Sequence, residues 1–175
     1  MADEAPDPIS NEPDVEPRAP QRADLVALCR RLNALGALYL VCGGFAIMQA
    51  GYARVTGDID LLIESGLENE AKVFQALEIF SDKAVRELDP GDVAKYVVCR
   101  VADEVLVDLM HTAGGIEYAE AAKAVVFREF DGVPIPFASP PLLWRMKRHT
   151  HRAKDQPDLL FLREWFESQG LTPPE

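Results

Sequence analysis

From Ala23 onward, large apolar residues return at three- and four-residue steps, at Leu25, Leu28, Leu32 and Leu35. That period predicts an amphipathic helix ending near Gly36. The pattern then changes. Ala37 to Cys42 is a short apolar run suited to a buried strand, Gly43-Gly44 interrupts it, and Phe45 to Ala50 resumes as helix. Beyond the polar connection from Tyr52 to Gly57, Asp58 to Ile63 reads as a second strand. Residues 67 to 80 read as a helix with Ala71, Phe74 and Leu77 near one face.

Farther on, Val85 to Leu88 and Val93 to Val101 flank Asp89-Pro90-Gly91-Asp92 and predict a hairpin. Val105 to Met110 is a further strand and Ile116 to Ala124 a short helix. Val125 to Phe130 and Val133 to Phe137 surround Asp131-Gly132, a strong two-residue hairpin signal. Ser139 caps a helix opened by Pro140-Pro141, since proline is tolerated in a first helical turn. A last helix runs from Lys154 or Pro157 to Ser168 and buries Leu159, Leu162 and Phe166. No internal repeat is visible.

The chain has 175 residues with 48% apolar composition, enough for one core and little more. Its first twenty residues hold five prolines, six acidic side chains and only Arg18 against them. Such a stretch buries too little surface to offset the entropy of ordering. Residues 1–22 are therefore expected to be a disordered tail, 23–138 the core, and 139–175 a helical segment completing the same domain.

Cys29, Cys42 and Cys99 lie far apart and form no CxxC pair, which favours a reduced, cytoplasmic protein over a zinc or disulfide framework. No apolar run approaches the ~20 residues that span a bilayer, and the acidic start is unlike a signal peptide. The formal net charge of −11 argues against a broad nucleic-acid surface, which needs clustered Lys and Arg.

Against this acidic background a few residues stand in a chemically specific pattern. Side chains alternate along a strand, so Asp58 and Asp60 project to one side and Ile59 and Leu61 to the other. Two carboxylates held that close repel unless a cation lies between them, and hard oxygen donors suit Mg²⁺ or Mn²⁺. Asp108 is a lone acid in an otherwise apolar strand. Burying it unpaired is costly, and the metal at Asp58 and Asp60 is the obvious partner. Gly43-Gly44 sits at a strand-to-helix junction, where backbone N–H groups and missing Cβ atoms let an anion approach.

The run GGFAIMQAGYARVTGDIDLLIE resembles the signature of the DNA polymerase beta-like nucleotidyltransferase superfamily: a glycine pair, a helix, then Asp-x-Asp on a strand. More narrowly, Arg54 to Asp60 resembles the stand-alone bacterial and archaeal branch that includes AbiEii-type toxins. The likeness continues through Ser139-Pro140-Pro141-Leu142-Leu143 to Lys147 and Lys154 to Leu159, covering about residues 23 to 165. This chain lacks the long C-terminal helical extension of the larger toxins.

The resemblance implies an α+β, minimal nucleotidyltransferase fold: a small mixed sheet flanked by helices, with C-terminal helices. It implies that Gly43 and Gly44 hold a triphosphate, that Asp58, Asp60 and Asp108 bind Mg²⁺ or Mn²⁺, and that Asp108 helps deprotonate the acceptor. Lys147 would meet phosphate or lie near the reacting hydroxyl, oriented by Asp155 and Asp158, with Arg54 and Thr56 at the nucleotide. The expected partners are a nucleoside triphosphate, a hydroxyl acceptor of unknown kind and, for a toxin, an antitoxin protein. A catalytically silent nucleotide-binding protein and an antibiotic nucleotidyltransferase are the competing readings. His111, His149, His151, Trp144 and Trp165 receive no role.

Overall fold

The computed structural model describes residues 16–174, so the expected tail over residues 1–15 lies outside the described residues. From Arg18 onward the chain is anchored, which moves the expected tail boundary at residue 22 toward the N-terminus. The Arg18 backbone N–H donates to Glu104 O at 2.9 Å, its guanidinium makes two 2.7 Å bonds to Asp24, and Pro20 is buried. Asp24 also accepts from the Gln21 N–H, tying off a donor at the start of the first helix.

In chain order the elements are α1 (Arg22–Ala34), β1 (Tyr39–Cys42), α2 (Gly43–Gln49), β2 (Asp58–Ile63), α3 (Leu67–Leu77), α4 (Asp92–Lys95), β3 (Cys99–Ala102) and β4 (Leu106–Met110). There follow the two-strand ribbon β5 (Thr112–Ala113) and β6 (Ile116–Glu117), then α5 (Tyr118–Ala121), β7 (Val125–Phe130), β8 (Val133–Ala138), α6 (Pro140–Lys147) and α7 (Gln156–Ser168). Six strands form one mixed sheet in the order β3-β4-β2-β1-β8-β7. The pairs β1/β2, β3/β4 and β7/β8 are antiparallel, while β2/β4 and β1/β8 are parallel.

The strand faces sort as alternation requires. Ile59, Leu61, Val107 and Leu109 are fully buried and share a core with Leu25, Leu28 and Leu32 of α1 and Val73 and Leu77 of α3. Asp58, Asp60 and Asp108 take the opposite face. Between β7 and β8, Asp131 (φ 52°) and Gly132 (φ 74°) both adopt the left-handed conformation that a two-residue hairpin turn needs. Beyond β8, α6 packs on α2 and α7. Among the described residues, no helix is long and apolar enough to cross a membrane.

Two expected elements differ. Val85–Leu88 and Val93–Val101 do not pair: Ala84–Glu87 is a 3-10 turn and Asp92–Lys95 a single helical turn. The cause lies about twenty residues upstream. The buried Glu70 carboxylate accepts from the N–H groups of Gly91 and Val93, and Gly91 takes φ 91°, folding the segment into a cap. That tertiary contact overrides local β-propensity. Cys99–Ala102 pairs instead with β4. The helix expected over Ile116–Ala124 begins as strand β6 and becomes helical only from Tyr118.

The β3/β4 turn is held by Asp103, only 2% exposed, whose carboxylate accepts from the N–H groups of Asp82, Ala84 and Glu104. Removing it strands three donors. Asp103→Ala is expected to lower unfolding free energy by about 2–4 kcal/mol, measured by urea denaturation. A loss under ~0.5 kcal/mol would show the turn to be held by other means.

Candidate active site

Strand register brings the acids together. Asp60 of β2 is paired with Asp108 of β4 on one side and Cys42 of β1 on the other, while Asp108 is paired with Arg100 of β3. Cys42, Asp60, Asp108 and Arg100 thus form one rung across four strands, and Asp58 lies one turn of the alternation away on the same face. One carboxylate oxygen from each of Asp58, Asp60 and Asp108 lies within 4.8 Å of the others. The Asp60 carboxyl is pushed up to about 6, by burial first and then by the charges of Asp58 and Asp108; Lys147 and the Gly44 N–H oppose the shift.

The partner of Asp108 expected from sequence was a metal; within the protein it is Arg100. The guanidinium grips Asp108 with both arms, Nε to Oδ1 at 2.8 Å and an Nη to Oδ2 at 2.7 Å, and reaches Asp58 Oδ2 at 3.3 Å. The sequence pattern does not point to Arg100, because it pairs Val93–Val101 with Val85–Leu88 and not with the Asp108 strand. Counting back from Asp108 across the turn at Asp103 places Arg100 opposite it, so the signal was present.

The glycine pair has an internal reason to be glycine. Gly43 holds φ 58°, and a Cβ there would lie 1.8 Å from Asp60 Oδ2; one at Gly44 would lie 2.2 Å from Thr56 Oγ1. The anion that the missing Cβ atoms admit is, first of all, the chain's own Asp60. Thr56 is buried and its hydroxyl donates to Asp58 O at 3.2 Å, so it braces Asp58.

Opposite the acids stands a second ionic group. Ser139 Oγ accepts from Leu142 N at the start of α6, whose last turn carries Lys147. Lys147 is 8% exposed, with Nζ 2.7 Å from Asp155 Oδ1 and 3.1 Å from Asp158 Oδ2. Asp155 also accepts from Thr150 and Arg152, and Asp158 pairs with Arg54, whose Nη lies 3.2 Å from Oδ2. Burial raises the Asp155 carboxyl, but Lys147, Thr150 and Arg152 outweigh it and hold it at about 2. Both groups face a cleft of about 710 Å³, lined by Gly43, Gly44, Arg54, Asp58, Lys147 and Lys154 among others.

No family model matches this chain, nor does any curated protein. Solved structures do. The lincosamide antibiotic adenylyltransferase LnuA, lincomycin-bound, superposes with TM-score 0.53 at 14% identity over 83% of this chain and 98% of that one. ANT(2")-Ia in complex with adenylyl-2"-tobramycin gives TM-score 0.50 at 16% identity over 83% and 89%.

This chain has the nucleotidyltransferase fold. At such identities the likeness establishes architecture alone, and chemistry has to come from the side chains. In this nucleotidyltransferase fold the acidic triad sits on adjacent parallel strands with α2 at its side. Three hard oxygen donors converge at roughly twice a metal–oxygen bond length, and their charge is only partly balanced by Arg100, so the residues fit a divalent cation. Asp58, Asp60 and Asp108 are the groups that would hold it. Arg54, Lys147, Arg152 and Lys154 place positive charge on the facing wall. Arg152 and Thr150 had no expected role; they are legible only once Asp155 is seen to collect them.

Gly43 tests the packing. Gly43→Ala is expected to cost about 1–3 kcal/mol, because left-handed backbone and a clash with Asp60 add. Gly57→Ala, where no atom lies within 4 Å, should stay within ~0.5 kcal/mol in the same urea titration. Asp155 makes a pH-dependent contribution. Its carboxyl is depressed in the folded state, so the stabilisation is complete above the ordinary carboxylate value and fades as pH falls toward about 2. Urea midpoints between pH 6 and 2.5 should fall more steeply for wild type than for Asp155→Asn; parallel curves would contradict this.

Proposed function

We propose that this protein is a metal-dependent nucleotidyltransferase that moves a nucleoside monophosphate from a triphosphate to an acceptor hydroxyl. The observation that carries the reading is the convergence of Asp58, Asp60 and Asp108 within 4.8 Å on one sheet face, opposite the buried Lys147, in a nucleotidyltransferase fold.

The acceptor oxygen attacks the α-phosphorus in line, an O–P bond forms, and the bond to the β-phosphate oxygen breaks, releasing pyrophosphate. Asp58, Asp60 and Asp108 would hold a divalent cation, which when bound would supply neutralisation of the charge that develops during transfer. Gly43 and Gly44 form the wall where the triphosphate rests. Lys147, fixed by Asp155 and Asp158, directs its ammonium toward the phosphates. Arg54, fixed by Asp158, lines the same wall, and Thr56 acts through Asp58. An Asp108 carboxylate oxygen takes the acceptor's proton.

A small-molecule acceptor is favoured over a polymer by two observations: the cleft is pocket-sized, and two structural neighbours, LnuA and ANT(2")-Ia, hold lincomycin and adenylyl-2"-tobramycin. A toxin paired with an antitoxin is supported by the Arg54-to-Asp60 motif alone.

Incubation with α-labelled nucleoside triphosphates, Mg²⁺ or Mn²⁺ and fractionated cell extract should label an acceptor and release pyrophosphate. The Asp58→Asn, Asp60→Asn double variant should lose at least about 10²-fold of that rate. Equal labelling by wild type and double variant would refute transferase chemistry at this site. Triphosphate binding without turnover over the acceptor panel would instead support a silent binding protein.

A further inference from the structure

Arg100 presents a geometry that the reaction above does not use. It arrives opposite Asp108 by strand pairing and occupies both oxygens of a carboxylate that is 6% exposed. The same guanidinium touches Asp58. Two of the three acids that fit a divalent cation are therefore already held by a cation that belongs to the chain. No comparable contact from Arg100 secures Asp60 among the described residues, so the three carboxylates remain only partly balanced. Arg100 itself is half exposed at its side chain, with open cleft beside it. Its guanidinium stays protonated at any ordinary pH, and the hydrogen bonds to Asp108 hold the proton more firmly still, so it cannot leave by losing a proton.

From this arrangement, and resting on the metal reading above, we propose that Arg100 is a resident counter-cation that competes with the divalent ion for Asp108 and Asp58 and is released into the cleft when the ion binds. The guanidinium keeps the acids assembled in the empty protein, where three bare carboxylates would repel each other. It also lowers metal affinity, because each ion bound must break a bidentate pair. An Arg freed at the mouth of the cleft then becomes a donor for an anionic substrate group.

The exchange has a signature that does not depend on activity. Mn²⁺ binding to the full chain is followed by loss of the free-ion electron paramagnetic resonance signal for wild type, Arg100→Met and Arg100→Lys, with Asp108→Asn as reference. Arg100→Met should bind Mn²⁺ about tenfold or more tightly than wild type, since a unit positive charge beside the ion is removed. Arg100→Lys, which keeps the charge and loses the fork, should fall between. Asp108→Asn should bind weakly. Without metal, Arg100→Met should melt below wild type, and saturating Mn²⁺ should raise its Tm more than it raises that of wild type.

A measurement on the unaltered protein guards against a variant that fails to fold. The Arg100 Nε–H resonance, assigned by its absence in Arg100→Lys, should lose its hydrogen-bonded shift and its protection from exchange as Mg²⁺ is titrated. Wild-type Mn²⁺ binding that is lost in Asp108→Asn but is equal or weaker in Arg100→Met would overturn the competition and leave the metal site standing. An Nε–H signal unchanged at saturating Mg²⁺ would do the same. Absence of Mn²⁺ binding in every variant would defeat the metal site and this inference together.

Discussion

Like charges crowded on one face of a sheet are the constraint around which the molecule is arranged. Asp58, Asp60 and Asp108 occupy neighbouring positions on two parallel strands, and the burial of Asp60 already makes its ionised form harder to keep. Such a cluster persists only if positive charge is delivered at fixed points. Arg100 delivers it from the edge strand β3, and Lys147 from α6. The strand order therefore matters electrostatically: with β3 anywhere but beside β4, Arg100 could not reach Asp108. The same holds for the α6–α7 hairpin, without which Lys147 would have no anchor.

That anchor is a network in its own right. Lys147 joins Asp155 and Asp158, Asp158 joins Arg54, and Asp155 collects Thr150 and Arg152. Buried ion pairs contribute little net stability compared with apolar packing, but loss of one partner leaves a buried charge exposed to its full desolvation cost. The network is better understood as placement than as glue. It locks the loop before β2, which carries Arg54 and Thr56, to the first turn of α7. The residues after Ala138 are thus part of the site wall, and the acids and the cations cannot shift independently.

How much of this could be read from sequence depended on the range of the deciding contact. Leu25, Leu28 and Leu32 marked α1 because helical period is local, and Asp131-Gly132 marked its hairpin because turn chemistry is local. The facing of Asp58, Asp60 and Asp108 followed from alternation. What escaped was decided at a distance. Glu70 turns 89–93 into a cap, and no pattern within that segment announces a carboxylate twenty residues away. The wrong hairpin then hid β3, and with it Arg100. Gly43 and Gly44 were legible as a break but not as the partners of Asp60 and Thr56, since which side chain fills the space beside a glycine is a tertiary fact. Residues 16–21 looked like tail by composition, yet Arg18 finds Glu104 and Asp24.

The net charge of −11 also weighs differently once charges are located. Among the described residues of the cleft and its immediate partners, Arg54, Arg100, Lys147, Arg152 and Lys154 stand against Asp58, Asp60, Asp108, Asp155 and Asp158. The site is balanced while the rest of the chain is acidic, so the field outside repels polyanions and the field inside does not attract them strongly. A bare triphosphate would upset that balance; one accompanied by a divalent cation upsets it less. Under the proposed chemistry, nucleotide and metal should therefore bind with positive coupling, each lowering the electrostatic cost of the other. The acidity that argues against a long nucleic acid is then compatible with a nucleotide, because the two differ in how much surface they must cross to reach neutral ground.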